Sequence, residues 1–447
     1  MLVSGLVSGG LLFILAPFIA GISSTDNPQA AVVVIRSLAP ALLILPVMSL
    51  LRGYFQGFGD MVPTAVSQIL EQIARVVYML AATYAIMKML DGDVTKAVAH
   101  STFAAFVGAV LSLVYLVFLY FQRRGAINLL IETAEEDDVN TLDFKASLMI
   151  LLKDSIPFIL LGSGIIIAKF IDQITFKFIL ERTSTMLLSD ISELFGVMNL
   201  DVDKLIMIII SIAVGMSLSS IPLITKLYAN HEEGKTAELI EKISILFLLV
   251  MSPAAFGMAS IANNMYQLFY PYGHEAGPSL LVTASVLSII LGAYTILSTI
   301  IQSMNYRRAA IRYLLVGLAV KLTLQFPLVA WLNAHGALIA TLLGFLVTCI
   351  LTIWKLNELV HLDFKRMLPN IIIIYSATLL MTVSAWLWNS SLDLLFGPVG
   401  RILTFVKILI VVTFAAFVYF GVLALFGKLS LLIGERHRAL QDKLRMF

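Results

Sequence analysis

Residues 51–76 read LRGYFQGFGDMVPTAVSQILEQIARV. The stretch opens with a short polar turn, Arg52 to Asp60, rich in glycine and aromatic residues. It then enters an apolar helix that carries Gln68, Glu71, Gln72 and Arg75. These four stand at i, i+3, i+4 and i+7, so they share one face of the helix. A charged stripe on a helix in lipid is costly unless it faces a protein interior or a water-filled cavity. The stretch therefore predicts a membrane helix that lines a polar interior.

The rest of the chain puts that helix in a bilayer. The 447 residues are 60% hydrophobic and 13% charged, and the mean hydropathy is +0.95. A soluble surface needs far more charge than this, so the chain reads as an integral membrane protein. The net charge of +2 says nothing for nucleic acid as a partner, because the basic residues sit in short loops between apolar runs. Cys349 is the only cysteine, which excludes an internal disulfide. The six histidines have no metal-ligand spacing, and no phosphate loop or nucleophile elbow is present. No catalytic, metal or cofactor site is expected, and a transporter is favoured over an enzyme.

Crossing ~30 Å of hydrocarbon takes about 20 apolar residues. Runs of that kind fall at 1–20, 30–51, 62–87, 97–121, 148–172, 203–225, 239–262, 279–302, 310–332, 335–354, 367–388 and 402–426. The expected fold class is all-α and polytopic, with about twelve transmembrane helices. Alternate junctions hold the basic residues: Arg52; Arg123 and Arg124; Lys226 and Lys235; Arg307, Arg308 and Arg312; Lys355, Lys365 and Arg366. The opposite junctions at 21–29, 263–278 and 333–336 have none. The positive-inside rule makes the first set, and the C-terminus, cytoplasmic. Residues 123–147, with acids from Glu132 to Asp138, read as a cytoplasmic linker. Residues 173–202 read as an outer loop with a short interfacial helix. Residues 435–446 read as a basic amphipathic segment on the inner leaflet. Prolines inside runs, among them Pro40, Pro46, Pro157 and Pro327, suit the bent helices of transporters.

Ionisable groups lie deep in several runs: Arg36, the Glu71–Arg75 pair, Lys169 with Asp172, and Lys321. One such charge costs about 2.5–3.5 kcal/mol to insert, so each calls for a partner or a use. Glu71 before Arg75 at i, i+4 suits an ion pair within the helix, and Lys169 and Asp172 at i, i+3 offer another. Arg36 and Lys321 have no acid nearby in sequence, so their partners come from elsewhere in the fold or from a ligand. Cations in a membrane cavity favour an anion, since arginine can grip phosphate oxygens at two points and lysine adds point charge.

RSLAPALLILPVMSLLRGYFQGFGDMVPTAVSQILEQIARV, Arg36 to Val76, resembles the polysaccharide-biosynthesis exporters of Gram-positive bacteria. These are similar to the lipid II flippases within the multidrug/oligosaccharidyl-lipid/polysaccharide exporter superfamily. The helix from Ile156-Pro157 to Ile171-Asp172 fits as well, as do STIIQSMNYRRAAI (298–311), GLAVKLTLQFPLV (317–329) and HGALIATLLGF (335–345). The resemblance implies a two-lobed fold of the multidrug-exporter type, with two further helices expected ahead of this chain's first. It also implies an organisation of a four-helix N-lobe over 1–122, a linker over 123–147, a six-helix C-lobe over 148–358, and a final helix pair with a basic tail over 359–447.

As function, the resemblance implies a flippase of the bacterial cell membrane. It would carry an undecaprenyl-diphosphate-linked cell-wall precursor, of the lipid II class, from the inner to the outer leaflet by alternating access. The diphosphate would meet Arg36, Arg52, Arg75, Lys169 and Lys321, with Gln68 and Gln72 completing the polar stripe. Glu71 and Asp172 would serve as coupling or ion-pair groups, and the lipid tail would lie by the last two helices. Cell-wall synthesis enzymes are candidate partners. The alternatives are a flippase for another lipid-linked oligosaccharide, such as a capsule or exopolysaccharide unit, and a cation-coupled multidrug exporter. Unpaired cavity cations argue against the exporter, whose substrates are usually cationic.

Overall fold

The computed structural model describes residues 1–22, 27–58, 60, 62–89, 92–132, 149, 155–270, 274–396 and 400–428. All regular secondary structure among them is helical: α1 (Leu2–Ile22), α2 (Pro28–Gly57), α3 (Val62–Tyr84), α4 (Val94–Glu132), α5 (Ser155–Gly162), α6 (Gly164–Thr183), α7 (Leu188–Gly196), α8 (Asp203–Ala229), α9 (Glu233–Ser260), α10 (Ala262–Phe269), α11 (Gly277–Ser303), α12 (Arg307–Leu332), α13 (Ala334–Val360), α14 (Phe364–Phe396) and α15 (Arg401–Leu425). Among the described residues, eleven helical stretches are long and apolar enough to cross a membrane, and the bent pair α5–α6, taken as one span, makes a twelfth. This is the all-α polytopic architecture that the apolar runs predict.

Two expectations change. Residues 173–202 are helical except at 184–187: α6 runs on to Thr183, and α7 passes through a π-helical turn, Val197–Val202, straight into α8. Glu181, Asp190 and Asp201 lower the local hydropathy while lying within helices. The run from 148 is not one straight helix either, because α5 and α6 meet at 53°. The break falls at Gly162-Ser163-Gly164, six residues beyond Pro157. A Gly/Ser step is a common kink point, and Pro157 sits in the first turn of α5, where its missing N–H costs nothing. The linker acids from Glu135 to Asp138 and the 435–446 segment lie outside the described residues.

The chain divides into two compact units, Met1–Ala146 and Ser147–Phe447. In the first, α2 packs against α1 and α4, and α3 lies along α4. Met48, Phe55, Ala109 and Leu116 form its core. Arg123 near the end of α4 pairs with Asp60 in the α2–α3 turn. That contact, with the Val62 N–H donating to the same side chain, holds the Asp60 carboxyl below its ordinary value. In the second unit α11 is central, packed by α8, α9 and α13, while α12 lies between α13 and α6. The α14–α15 pair leans on α9 through a separate apolar cluster that includes Ile374, Met381 and Val411.

Candidate functional site

In the first unit the polar stripe of α3 meets Arg52 from α2. The two oxygens of Glu71 are divided between two arginines: Arg52 Nη2 donates to Oε2 at 2.9 Å and Arg75 Nη2 to Oε1 at 2.6 Å. Arg52 also donates to Ser67 Oγ (2.9 Å) and to Ser112 Oγ of α4 (3.0 Å). Ser67, one turn before Glu71, passes its own proton to the Thr64 carbonyl. Two cations and one anion leave a net charge of +1 on this cluster. The three members differ in exposure: the side chains of Glu71 and Arg52 are 9% and 14% exposed, and that of Arg75 is 35%. Arg75 Nε is buried and makes no hydrogen bond. Of the three side chains, that of Arg75 is the most exposed.

Close approach of α4 shapes the cluster. A Cβ on Gly108 would stand 2.6 Å from the Glu71 carbonyl oxygen and 3.3 Å from Arg75 Cβ. Glycine here lets two helix backbones touch, as small residues do at membrane helix crossings. The stripe is not uniform. Thr64, Ser67 and Glu71 are buried, Arg75 is intermediate, and Gln68 and Gln72 are exposed. At 100° per residue, Glu71 and Gln72 stand on opposite edges of the stripe and Arg75 between them. Arg36 on α2 is exposed. Its Nε donates to the Phe13 carbonyl at 3.4 Å and its guanidinium lies 4.7 Å from the Phe13 ring. It has no acidic partner among the described residues.

In the second unit the expected contact of Lys169 with Asp172 does not form. Each reaches another helix instead. Lys169 pairs with Asp203 at the start of α8 (2.7 Å). Asp172 accepts from Lys321 Nζ (2.8 Å) and Gln325 Nε2 (2.7 Å) of α12, and Lys321 also donates to Thr341 Oγ1 of α13 (2.5 Å). The i, i+3 spacing on α6 is outweighed by desolvation: Lys321 is 0% exposed, and a buried ammonium needs every nearby acceptor. As arranged, Lys321 is the buried counter-ion of Asp172. Gly344 of α13 lies against the Gly317 carbonyl (2.6 Å to a built Cβ) and Lys321 Cβ (2.9 Å).

Sequence reasoning missed one charged group. Lys407 on α15 is buried, and its Nζ lies 3.3 Å from Asp393 on α14. Asn264 of α10 donates to Asn389 (2.7 Å) and to Asp393 (3.3 Å), and Asn389 donates to Asp393 (3.2 Å). Lys407 stands only six residues from the start of α15, so it reads as a helix-end lysine; its acid, Asp393, is 14 positions away on another helix, beyond any spacing rule. Beside this network an apolar groove of about 370 Å³ runs between α9, α14 and α15, floored by Pro253, Gly257, Met381, Ala415 and Tyr419. No group of three or more metal-ligating side chains occurs among the described residues.

Residues 1–228 match the family model described as polysaccharide biosynthesis protein. The lipid II flippase MurJ of Bacillus subtilis (strain 168) is 30% identical over 393 residues, covering 86% of this chain and 72% of that protein. Among solved structures, the lipid II flippase MurJ in an inward closed conformation superposes with a TM-score of 0.60 at 11% identity, over 94% of this chain and 80% of that one. An inward-facing multidrug resistance MATE family transporter of the MOP superfamily gives 0.59 at 13% identity, over 80% of each chain. These likenesses at low identity speak for the fold alone, while the sequence matches speak for kinship. The chain belongs to the polysaccharide biosynthesis protein family, with the lipid II flippase MurJ of Bacillus subtilis among its relatives.

Proposed function

We propose that this chain translocates an undecaprenyl-diphosphate-linked cell-wall precursor of the lipid II class across the cell membrane by alternating access. The observation that carries the reading is Arg75, a partly exposed arginine side chain within a membrane helix, in a cluster of net charge +1. A diphosphate cannot enter hydrocarbon bare, and a cation with donors to spare lowers that barrier by charge-assisted hydrogen bonds. The kinship with a relative named as a lipid II flippase supports the substrate class. The groove along α14 and α15 supports the other half of the substrate, since an apolar channel suits a polyprenyl tail. A multidrug exporter of cations fits less well, because the spare charge of the cluster is positive.

Arg75 is the diphosphate contact in this reading, with Arg52 holding Glu71 in place beside it. Arg36 is a second exposed cation for the same ligand. Lys169 and Lys321 act inside the second unit as partners of Asp203 and Asp172, and Asp172 and Glu71 balance charge as the protein moves. The multi-pass chain sits with its C-terminus in the cytoplasm, four helices forming an N-lobe before the 123–147 linker, six a C-lobe over 148–358, and a final pair after it. Cell-wall synthesis enzymes act on the delivered product as partners. The test is growth of a Bacillus subtilis strain depleted of its lipid II flippase and supplied with this chain. Restored growth is expected. Failure to grow, alongside restored capsule export in a capsule-flippase mutant, moves the substrate to another lipid-linked oligosaccharide.

A further inference from the structure

A cavity of about 500 Å³ opens at the α5–α6 break. Its volume lies within the roughly 300–1,000 Å³ usual for small-molecule sites. The wall is one face of α11, and Gly162 of the break, Thr225 of α8 and Arg307 at the start of α12 complete it. Tyr294 lines it too and donates to the Leu161 carbonyl at 2.5 Å. Interrupted helices are where many transporters place their ligands.

The α11 wall has a definite hydrogen-bonding sense. Thr295 gives its proton to the Leu291 carbonyl, Ser298 and Thr299 to Thr295, and Ser303 to Thr299, at 2.8 to 3.1 Å. Gln302 gives an amide proton to the Ser298 carbonyl at 2.8 Å. With the hydroxyl donors used inside the helix, those side chains offer lone pairs, and the second amide proton of Gln302 and the Asn305 side chain add donors. A wall of such mixed groups, richer in acceptors, suits a ligand rich in O–H and N–H groups. A cationic drug would also find acceptors there, but the Arg307 guanidinium stands in the lining and opposes it. That guanidinium lies over the Phe158 ring, 4.6 Å from its centroid.

We propose that this cavity is a saccharide subsite, which takes the sugar of the lipid-linked substrate against α11. The assignment rests on the proposed function and names the part of the headgroup recognised. Selectivity for a sugar-bearing lipid over its sugarless parent is its signature.

The experiment uses the full chain in nanodiscs with two probes: undecaprenyl diphosphate carrying an N-acetylated disaccharide, and undecaprenyl diphosphate alone. The unaltered protein should bind the sugar-bearing lipid roughly tenfold tighter, the size of one or two net hydrogen bonds. The triple variant Ser298→Ala/Thr299→Val/Gln302→Leu should bring the two affinities together. In a Cys349→Ala background, maleimide labelling of Thr299→Cys should be slowed severalfold by the sugar-bearing lipid and not by the sugarless one; this readout does not depend on the triple variant folding. Equal affinities in the unaltered protein, a preference that survives the triple variant, or labelling indifferent to the sugar overturns the subsite. Binding of the sugarless lipid with no sugar preference overturns it alone, whereas binding of neither lipid overturns it together with the proposed function.

Discussion

The α3–α4 and α12–α13 crossings are built alike and end in opposite uses of a cation. QGFGDMVPTAVSQILEQIAR (56–75) and QSMNYRRAAIRYLLVGLAVK (302–321) each run from a helix end through a turn into a helix, and each closes on a base. In both, a glycine of the next helix lies over that base: Gly108 against Arg75 and the Glu71 carbonyl, Gly344 against Lys321 and the Gly317 carbonyl. The residue four before the base differs. In the first crossing it is Glu71, so the acid comes from the same helix and the far edge of Arg75 is left open. In the second it is Gly317, and the acid comes from Asp172 on α6, which closes over Lys321. One site can thus hold its charge ready for a ligand while the other spends its charge on packing.

Removing Lys321 should do the most damage. Lys321→Met strands the Asp172 carboxylate in the protein interior, which costs about 3–5 kcal/mol, and the melting temperature in detergent should fall accordingly. Adding Asp172→Leu should restore most of it. A lone Lys321→Met variant that melts like the original protein would break the contrast. Alanine at Gly108 and at Gly344 should each cost about 1–3 kcal/mol, because overpacked crossings move backbone. Both built Cβ atoms stand 2.6 Å from a carbonyl oxygen, so losses of similar size sharpen the likeness of the crossings, and a large inequality weakens it.

Arg75→Ala should lower affinity for undecaprenyl diphosphate about tenfold or more, as loss of a charge-assisted contact does, with a smaller fall in melting temperature than Arg52→Ala gives, since it bares one oxygen of Glu71 but no serine. Arg52→Ala should act the other way round and lower the melting temperature, because it leaves Ser67 and Ser112 without their donor and one oxygen of Glu71 bare. The smallest effect belongs to Asp60. Its folded pKa is lowered, first by the hydrogen bond from Arg123. Its contribution is therefore fully present above the unfolded aspartate value of about 4 and is lost as pH falls through the lower folded value. Asp60→Asn should flatten the acid limb of a melting-temperature profile slightly and leave neutral pH almost untouched.

Apolar run length was enough to find the membrane helices, because hydrocarbon thickness sets that length directly. Glu71–Arg75 was legible for a similar reason: both members lie on one helix, and helix geometry fixes their distance. Arg52 joining them was not, since the Ser67, Glu71 and Ser112 contacts need the α2–α3 turn and the α4 crossing to exist first. Lys321 looked like a free cation because its acid is 149 positions away. Gln68 and Gln72 share a stripe with Glu71 in projection but not in burial, as a face of 100° is wide enough to straddle the rim of a helix contact. The α6–α8 stretch was misread because hydropathy reports transfer to lipid and not backbone continuity.

The Asp172–Lys321 pair also has a history in time. The acid leaves the ribosome first, and the lysine follows 149 residues later, roughly 7 to 30 s at ordinary rates of synthesis. Through that interval Asp172 is made without its counter-ion. The arrival of α12 then supplies the ammonium that pairs with it. The chain's second half therefore assembles in an order its own sequence imposes, with α6 holding the place that α12 must find.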